Sequence, residues 1–184
     1  METICLGEFA PVHAGGLEIR RGGIDPNGVG LFTLVQRTIG DAIGFYAGTP
    51  KSHVTRKEEE YAIEIPGFDI VVVPPIDGGM DFQNYPMAAA NEPGRGQEAN
   101  MVLVADRVYE VEGKTYTVLA FYISRDVQPN SELMWKYGPL YKRSYEVGQP
   151  STEDFEITMT LPRLNRLLTQ RPDAIFDLSE LETM

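Results

Sequence analysis

Glu132-Leu133-Met134-Trp135-Lys136-Tyr137-Gly138-Pro139-Leu140-Tyr141 stands near the end of the regular part of this chain, after a strand-like segment and a Pro129-Asn130 turn. The glycine at 138 predicts a bend, which holds Tyr137 at the end of an element instead of its middle. Two readings of that tyrosine are open: a phenol presented to a pocket, or a ring packed in the core. The segments upstream bear on the choice.

The chain has 184 residues, enough for one domain with a sizeable core, and a single domain over 1–184 is expected. With 42% hydrophobic and 23% charged residues it has the composition of a globular protein, and 18 Gly with 13 Pro predict many turns between short strands. No run of apolar residues is long enough to span a membrane, and Met1 to Glu8 lack a basic segment before an apolar one. A cytoplasmic or nuclear location is the expectation, with no membrane partner. Cys5 is the only cysteine, which excludes an intrachain disulfide and a Cys-rich zinc cluster. His13 and His53 have no partner at ligand or triad spacing, so no metal is expected. A formal charge of −11 argues against direct binding to a nucleic-acid backbone and suits a basic peptide partner. The sequence carries no signal for oligomeric state.

In chain order, residues 1–16 read as an irregular lead-in, and Leu17-Glu18-Ile19-Arg20 alternates as a half-buried strand does. The turn signal Asp25-Pro26-Asn27-Gly28 opens into Gly28-Val29-Gly30-Leu31-Phe32-Thr33, a strand whose glycines permit another group close to the backbone. A bulge or turn explains such a pair as well as a ligand does. It is not a dinucleotide fingerprint, since Thr33 replaces the third glycine and no helix pattern follows. Gly40 to Gly48 gives another turn and strand, and Lys51 to Glu60 reads as a solvated loop or helix. Tyr61–Ile65 and Asp69–Val73 are predicted strands around a Pro66-Gly67 turn, and Met87–Ala90 suits one helical turn. Ala99–Val104, Arg107–Val111 and Thr115–Ile123 are further predicted strands, the last two forming a hairpin. Leu161, Leu164, Leu167 and Leu168 recur at helix spacing near Pro162, predicting a C-terminal helix. The fold class is mainly β with some α, in a compact clip-like or barrel-like arrangement.

The order of these segments resembles the SET domain of protein-lysine methyltransferases. Gly28-Val29-Gly30-Leu31-Phe32 is similar to that family's G-x-G-[LV]-F segment, and Gly40 to Gly48, ending in Phe45-Tyr46-Ala47-Gly48, to the segment that follows it. Asn91 and Asn100 resemble the two ends of N-H-S-x-x-P-N, while Arg125-Asp126-Val127, Glu132-Leu133 and Tyr137-Gly138 resemble R-D-I-x-x-G-E-E-L-x-x-x-Y-G. The likeness covers residues 17–141 and implies a SET-type β-clip fold, with 142–184 as a C-terminal flank over the site. Glu92 stands where the family has His, and the stretch from Asn91 to Asn100 is three residues longer than the family's usual spacing.

What the resemblance implies is methyl transfer from S-adenosylmethionine to a lysine of a basic protein segment, a histone tail among the candidates. The backbone of Gly28, Val29, Gly30 and Leu31, the side chain of Asn91 and the main chain at Glu92 would bind the cofactor. Tyr46 and Trp135 would line a lysine channel, and Tyr137 would be the catalytic phenol. A lysine amine, with a pKa of about 10.4, must lose its proton before attack, which an apolar aromatic channel favours. A phenol is too weak a base for that task at neutral pH, so Tyr137 would orient and steer. Trp135 occupies a position where the family has Phe or Tyr and where the choice affects methylation degree. It would either narrow the channel toward monomethylation or pack in the core. The alternative reading is a catalytically inactive SET-like module that binds a peptide or protein, favoured by Glu92 and the lengthened 91–100 loop.

Overall fold

The computed structural model describes residues 3–5, 13–64, 71–111, 114–137 and 141. The longest pairing joins β8 (Met101–Val111) to β9 (Lys114–Ile123), antiparallel, with Met101 opposite Ile123 and Val111 opposite Lys114. On its other edge β9 takes β4 (Ala42–Phe45) antiparallel and β1 (Thr3–Cys5) parallel. In a second sheet β3 (Val29–Thr33) lies between β2 (Leu17–Arg21) and β10 (Ser131–Glu132), both antiparallel to it. A third sheet sets β7 (Val71–Val73) between β5 (Thr49–Lys51) and β6 (Ile63–Glu64). A 3-10 turn at Pro86–Ala89 packs on β3.

The core forms where the sheets meet. Leu31, Ile43, Val72, Phe121, Ile123 and Leu133 have no exposed surface, and they come from all three sheets and the segment after β10. Burying each such side chain is worth about 1.5–3 kcal/mol, so the core dictates how the short strands are brought together. Gly48 has a steric reason: a Cβ there would lie 2.5 Å from the carbonyl carbon and oxygen of Val73, where backbone has no room to give. Arg37 ties β3 to the approach of β10. It is buried, bonds Thr33 Oγ1 at 3.0 Å and the Gly15 carbonyl, and exchanges two 2.9 Å backbone bonds with Val127. Burial pushes its guanidinium pKa down, against an opposing pull from Asp41.

Several expectations change. The lead-in contains β1, whose pairing partner lies far along the chain at Thr115–Thr117. Residues 101–111 make one strand, not two, with a register shift between Ala105 and Val108 that accommodates the expected break. The stretch from Lys51 opens with the end of β5 and continues in turns closed by Thr55, whose carbonyl accepts from Glu58 N and Glu59 N. The helical turn near Met87 is 3-10 and begins at Pro86. The Pro66-Gly67 turn and the C-terminal helix lie outside the described residues, as does the whole flank from 142 onward.

Candidate functional site

Ala90-Asn91-Glu92 leaves the 3-10 turn and meets the segment that follows β10. Asn91 bridges Met134 in parallel fashion, and its carbonyl accepts Trp135 N at 3.0 Å. From the other side Asn100 acts as a clip: its Nδ2 donates to Glu132 O and its Oδ1 accepts Met134 N, each at 2.8 Å. Met134 O accepts Asn100 N and Met101 N, while Leu133 N donates to Leu31 O at 2.7 Å. Residues 132–135 are thus held by hydrogen bonds to three separate stretches of chain, which fixes where the side chains of Trp135 and Tyr137 emerge.

Tyr137 is bound to both neighbours of Asn91. Its hydroxyl donates to Ala90 O at 3.1 Å and its backbone N–H donates to Glu92 Oε1 at 3.1 Å. Glu92 is 4% exposed, a buried carboxylate whose contact with a backbone N–H offsets part of its desolvation. Trp135 Nε1 donates to the same Ala90 carbonyl at 3.2 Å. Its ring is half-buried against the core and stands edge-on to Phe121, with centroids 5.2 Å apart. The Trp135 ring thus packs against the core, while its N–H is committed to the carbonyl that also receives Tyr137.

Aromatic rings form a continuous line through this region. Tyr46 contacts Phe121 at 6.2 Å, Phe121 contacts Trp135, Trp135 contacts Tyr137 at 5.1 Å, and Tyr137 contacts Tyr141 at 4.6 Å. Tyr46 sits at the inner end, buried, with its hydroxyl donating to Tyr61 O at 2.5 Å. Burial pushes its phenol pKa well above the usual value, helped by the nearby phenols of Tyr137, Tyr61 and Tyr141. Burial and the neighbouring Glu60 raise Tyr61 as well, with Tyr141 adding to the effect.

The Gly28–Leu31 stretch lies beside the tripeptide. Asn91 Nδ2 donates to Val29 O at 2.8 Å and to Glu132 Oε1 at 3.0 Å, across 62 and 41 residues of sequence. Two acceptors on one nitrogen settle the orientation of the amide and leave Oδ1 as the side chain's acceptor. The bare Cα of Gly30 lets the Glu132 carboxylate press against it, for a Cβ there would collide with Oε1. Gly28 makes the same allowance for Asp25, and Glu132 Oε2 accepts Ile24 N at 3.0 Å. Leu31 is wholly buried and its carbonyl is taken by Leu133. The structure thus brings Val29, Gly30, Asn91, Glu92, Trp135 and Tyr137 together, with Tyr46 reached through Phe121. Among the described residues no group of three or more His, Cys, Asp or Glu side chains is arranged to hold a metal ion, and no helix is long and apolar enough to cross a membrane.

No protein-family model matches the chain, and no curated protein sequence does. Solved structures do resemble it. The SET domain of the RIZ1 tumor suppressor (PRDM2) matches at 13% identity with a TM-score of 0.50, over 86% of this chain and 83% of that one. The fold is SET-like. A candidate histone methyltransferase of Plasmodium falciparum matches at 14% identity and a TM-score of 0.46, over 68% of this chain and 96% of that one. A chain from a structure on the product specificity of histone lysine methyltransferases matches at 16% identity and 0.46, over 76% of this chain and 58% of that one. At such identities the likeness is one of fold, and function rests on the site.

Three residues around Asn91 and Tyr137 escape sequence reading. Ala90 contributes only a carbonyl, which no residue type announces. Phe121 reads as a strand residue, and only the pairing of β4 with β9 sets it between Tyr46 and Trp135. Glu132 is legible as part of an E-L pair, yet its contact with Gly30 depends on β10 lying beside β3.

Proposed function

We propose that this chain is a protein-lysine N-methyltransferase that uses S-adenosylmethionine and acts on a basic protein segment, with histone tails as the first substrates to try. The observation that carries this reading is the Ala90-Asn91-Glu92 tripeptide. Its outer residues both hold Tyr137, and its central side chain reaches Val29 in the glycine-rich strand. A cofactor contact and a catalytic phenol are then adjacent, as a transfer between two ligands meeting at one methyl group requires.

The acceptors around Asn91 suit the ammonium of the cofactor's amino-acid end. Asn91 Oδ1 and the carbonyl of Val29 are acceptors beside the glycine-rich strand, and the main chain at Glu92 is next to them. The cofactor supplies an electrophilic methyl group on a sulfonium. Tyr137 commits its hydroxyl proton to Ala90, so toward an incoming amine its oxygen acts as an acceptor that orients the nitrogen. The apolar edges of Trp135 and Phe121 favour the neutral amine by excluding water, and Tyr46, buried and neutral, adds no charge to oppose it. The net acidity of the chain favours encounter with a basic segment.

A second reading, a SET-like module that binds a peptide without catalysis, is favoured by the Glu132 carboxylate, which occupies the space over Gly30 in close contact. Radiolabelled methyl transfer to core histones and to a whole-cell protein extract tests the first reading. Labelled protein supports it; absence of label together with no calorimetric binding of S-adenosylmethionine at millimolar concentration selects the second.

A further inference from the structure

We infer that Glu132 is the counter-ion for the α-ammonium group of the cofactor's amino-acid end, an inference that rests on the cofactor reading above. The groups that converge on the Asn91 side-chain nitrogen are acceptors. The bonds from Asn91 Nδ2 go to two oxygens, Val29 O and Glu132 Oε1, and the amide turns Oδ1 outward from that pair. A site built of a carbonyl, an amide oxygen and a carboxylate takes a cation with several N–H donors, so it suits the α-ammonium of the amino-acid end and turns the α-carboxylate away from Glu132. An α-ammonium offers three such donors.

Glu132 is held in position for this role. Ser131 and Glu132 pair with Thr33 and Phe32, which aims the Glu132 side chain along β3 toward Gly30. Its Oε2 accepts Ile24 N at 3.0 Å, and its approach to Gly23, at φ 91, and to Gly30 needs both Cα atoms bare. Each carboxylate oxygen has a second lone pair beyond the bond described here, so the group accepts a further donor without losing those it has. Asp25 lies against Gly28 on the same stretch and accepts Asn27 N at 3.0 Å, adding a second negative charge near the strand's start. The glycines of the G-x-G segment thereby gain a further reason: they admit the chain's own carboxylates to the strand, and the carboxylate brings charge to a site that is otherwise dipolar.

The test is calorimetric titration of the full chain with S-adenosylhomocysteine and with its analogue lacking the α-amino group. A charge-assisted contact predicts that the wild type prefers the amine-bearing ligand by about 10- to 100-fold. In Glu132→Gln that preference should shrink to about threefold or less, with the weaker ligand little affected. Glu132→Asp, which keeps the charge on a shorter stem, should restore part of the preference, and the wild-type ratio stands even where a variant folds poorly. Equal binding of the two ligands by the wild type, or an undiminished preference in Glu132→Gln, overturns the role of Glu132 and leaves the cofactor reading standing. Binding of neither ligand by the wild type overturns both.

Discussion

Trp135 and Tyr137 share one acceptor: the indole N–H and the phenol O–H both reach the Ala90 carbonyl, at 3.2 and 3.1 Å. A carbonyl oxygen has two lone pairs, so the two donors do not compete, and each holds the other's ring at a tilted 5.1 Å contact. The arrangement makes the two residues separable by substitution, because removing either donor leaves Ala90 with the other.

Tyr137→Phe should keep the fold. The ring retains its contacts with Trp135 and Tyr141, and Ala90 retains the indole, so the stability loss is expected to be about 1 kcal/mol or less. Methyl transfer should fall by about 100-fold or more, since the oriented oxygen is gone. Cofactor affinity should be nearly unchanged. Steady-state kinetics beside calorimetry reads all three, and full residual activity would remove Tyr137 from the reaction.

Trp135→Phe addresses product degree. The indole lies against the Tyr137 ring, and it is pinned by its bond to Ala90 and its edge contact with Phe121. A wild type limited to monomethylation is the expectation, with Trp135→Phe adding further methyl groups to the same peptide. Mass spectrometry of the product decides. A trimethylated peptide from the wild type would show that the ring does not constrain the channel.

Glu92 separates positioning from binding. Its side chain accepts the Tyr137 N–H, while the cofactor reading involves only its main chain. Glu92→Ala should cost about 1–3 kcal/mol by stranding that N–H in a half-buried place, and Glu92→Gln, which keeps an acceptor oxygen, should lose less. A displacement of Tyr137 by about 1 Å would lower kcat by about 100-fold. Loss of kcat in the alanine variant with recovery in the glutamine variant, at similar cofactor affinity, is the pattern to look for in kinetics and calorimetry.

How much of this was legible in the sequence follows the range of each interaction. The hairpin of β8 and β9 and the strand β3 were readable because alternation and turn residues are local signals. Tyr137, Asn91 and the glycines are singled out only through family resemblance, and their proximity depends on long-range packing that no local pattern carries. The parallel pairing of Thr3–Cys5 with Thr115–Thr117 had no local trace, for three residues carry too little pattern. The same holds for Glu132: its bond to Ile24 N spans 108 residues, and nothing near either end announces it. The Ala105–Val108 irregularity was misread as a break between strands because a bulge and a break look alike in sequence.

Tyr46 makes the aromatic line a source of alkaline sensitivity. Its phenol is buried, donates to Tyr61 O, and has its pKa raised well above the ordinary value of about 10 by burial first and neighbouring phenols second. A raised folded-state pKa means that the native state holds the proton more tightly than the unfolded chain does. The stability this confers is fully present below about pH 10 and is lost as pH climbs from there through the raised pKa. Each proton released only on unfolding contributes a slope of about 1.4 kcal/mol per pH unit in that window. Tyr46→Phe removes one such proton, so its stability should fall less steeply than the wild type's above pH 10, Tyr61 supplying the remainder. At neutral pH the variant should lose about 1 kcal/mol, because Tyr61 O gives up a buried donor. Denaturant midpoints measured from neutral pH upward check both halves, and parallel curves for the two proteins above pH 10 would mean that the Tyr46 phenol ionises as freely in the fold as out of it.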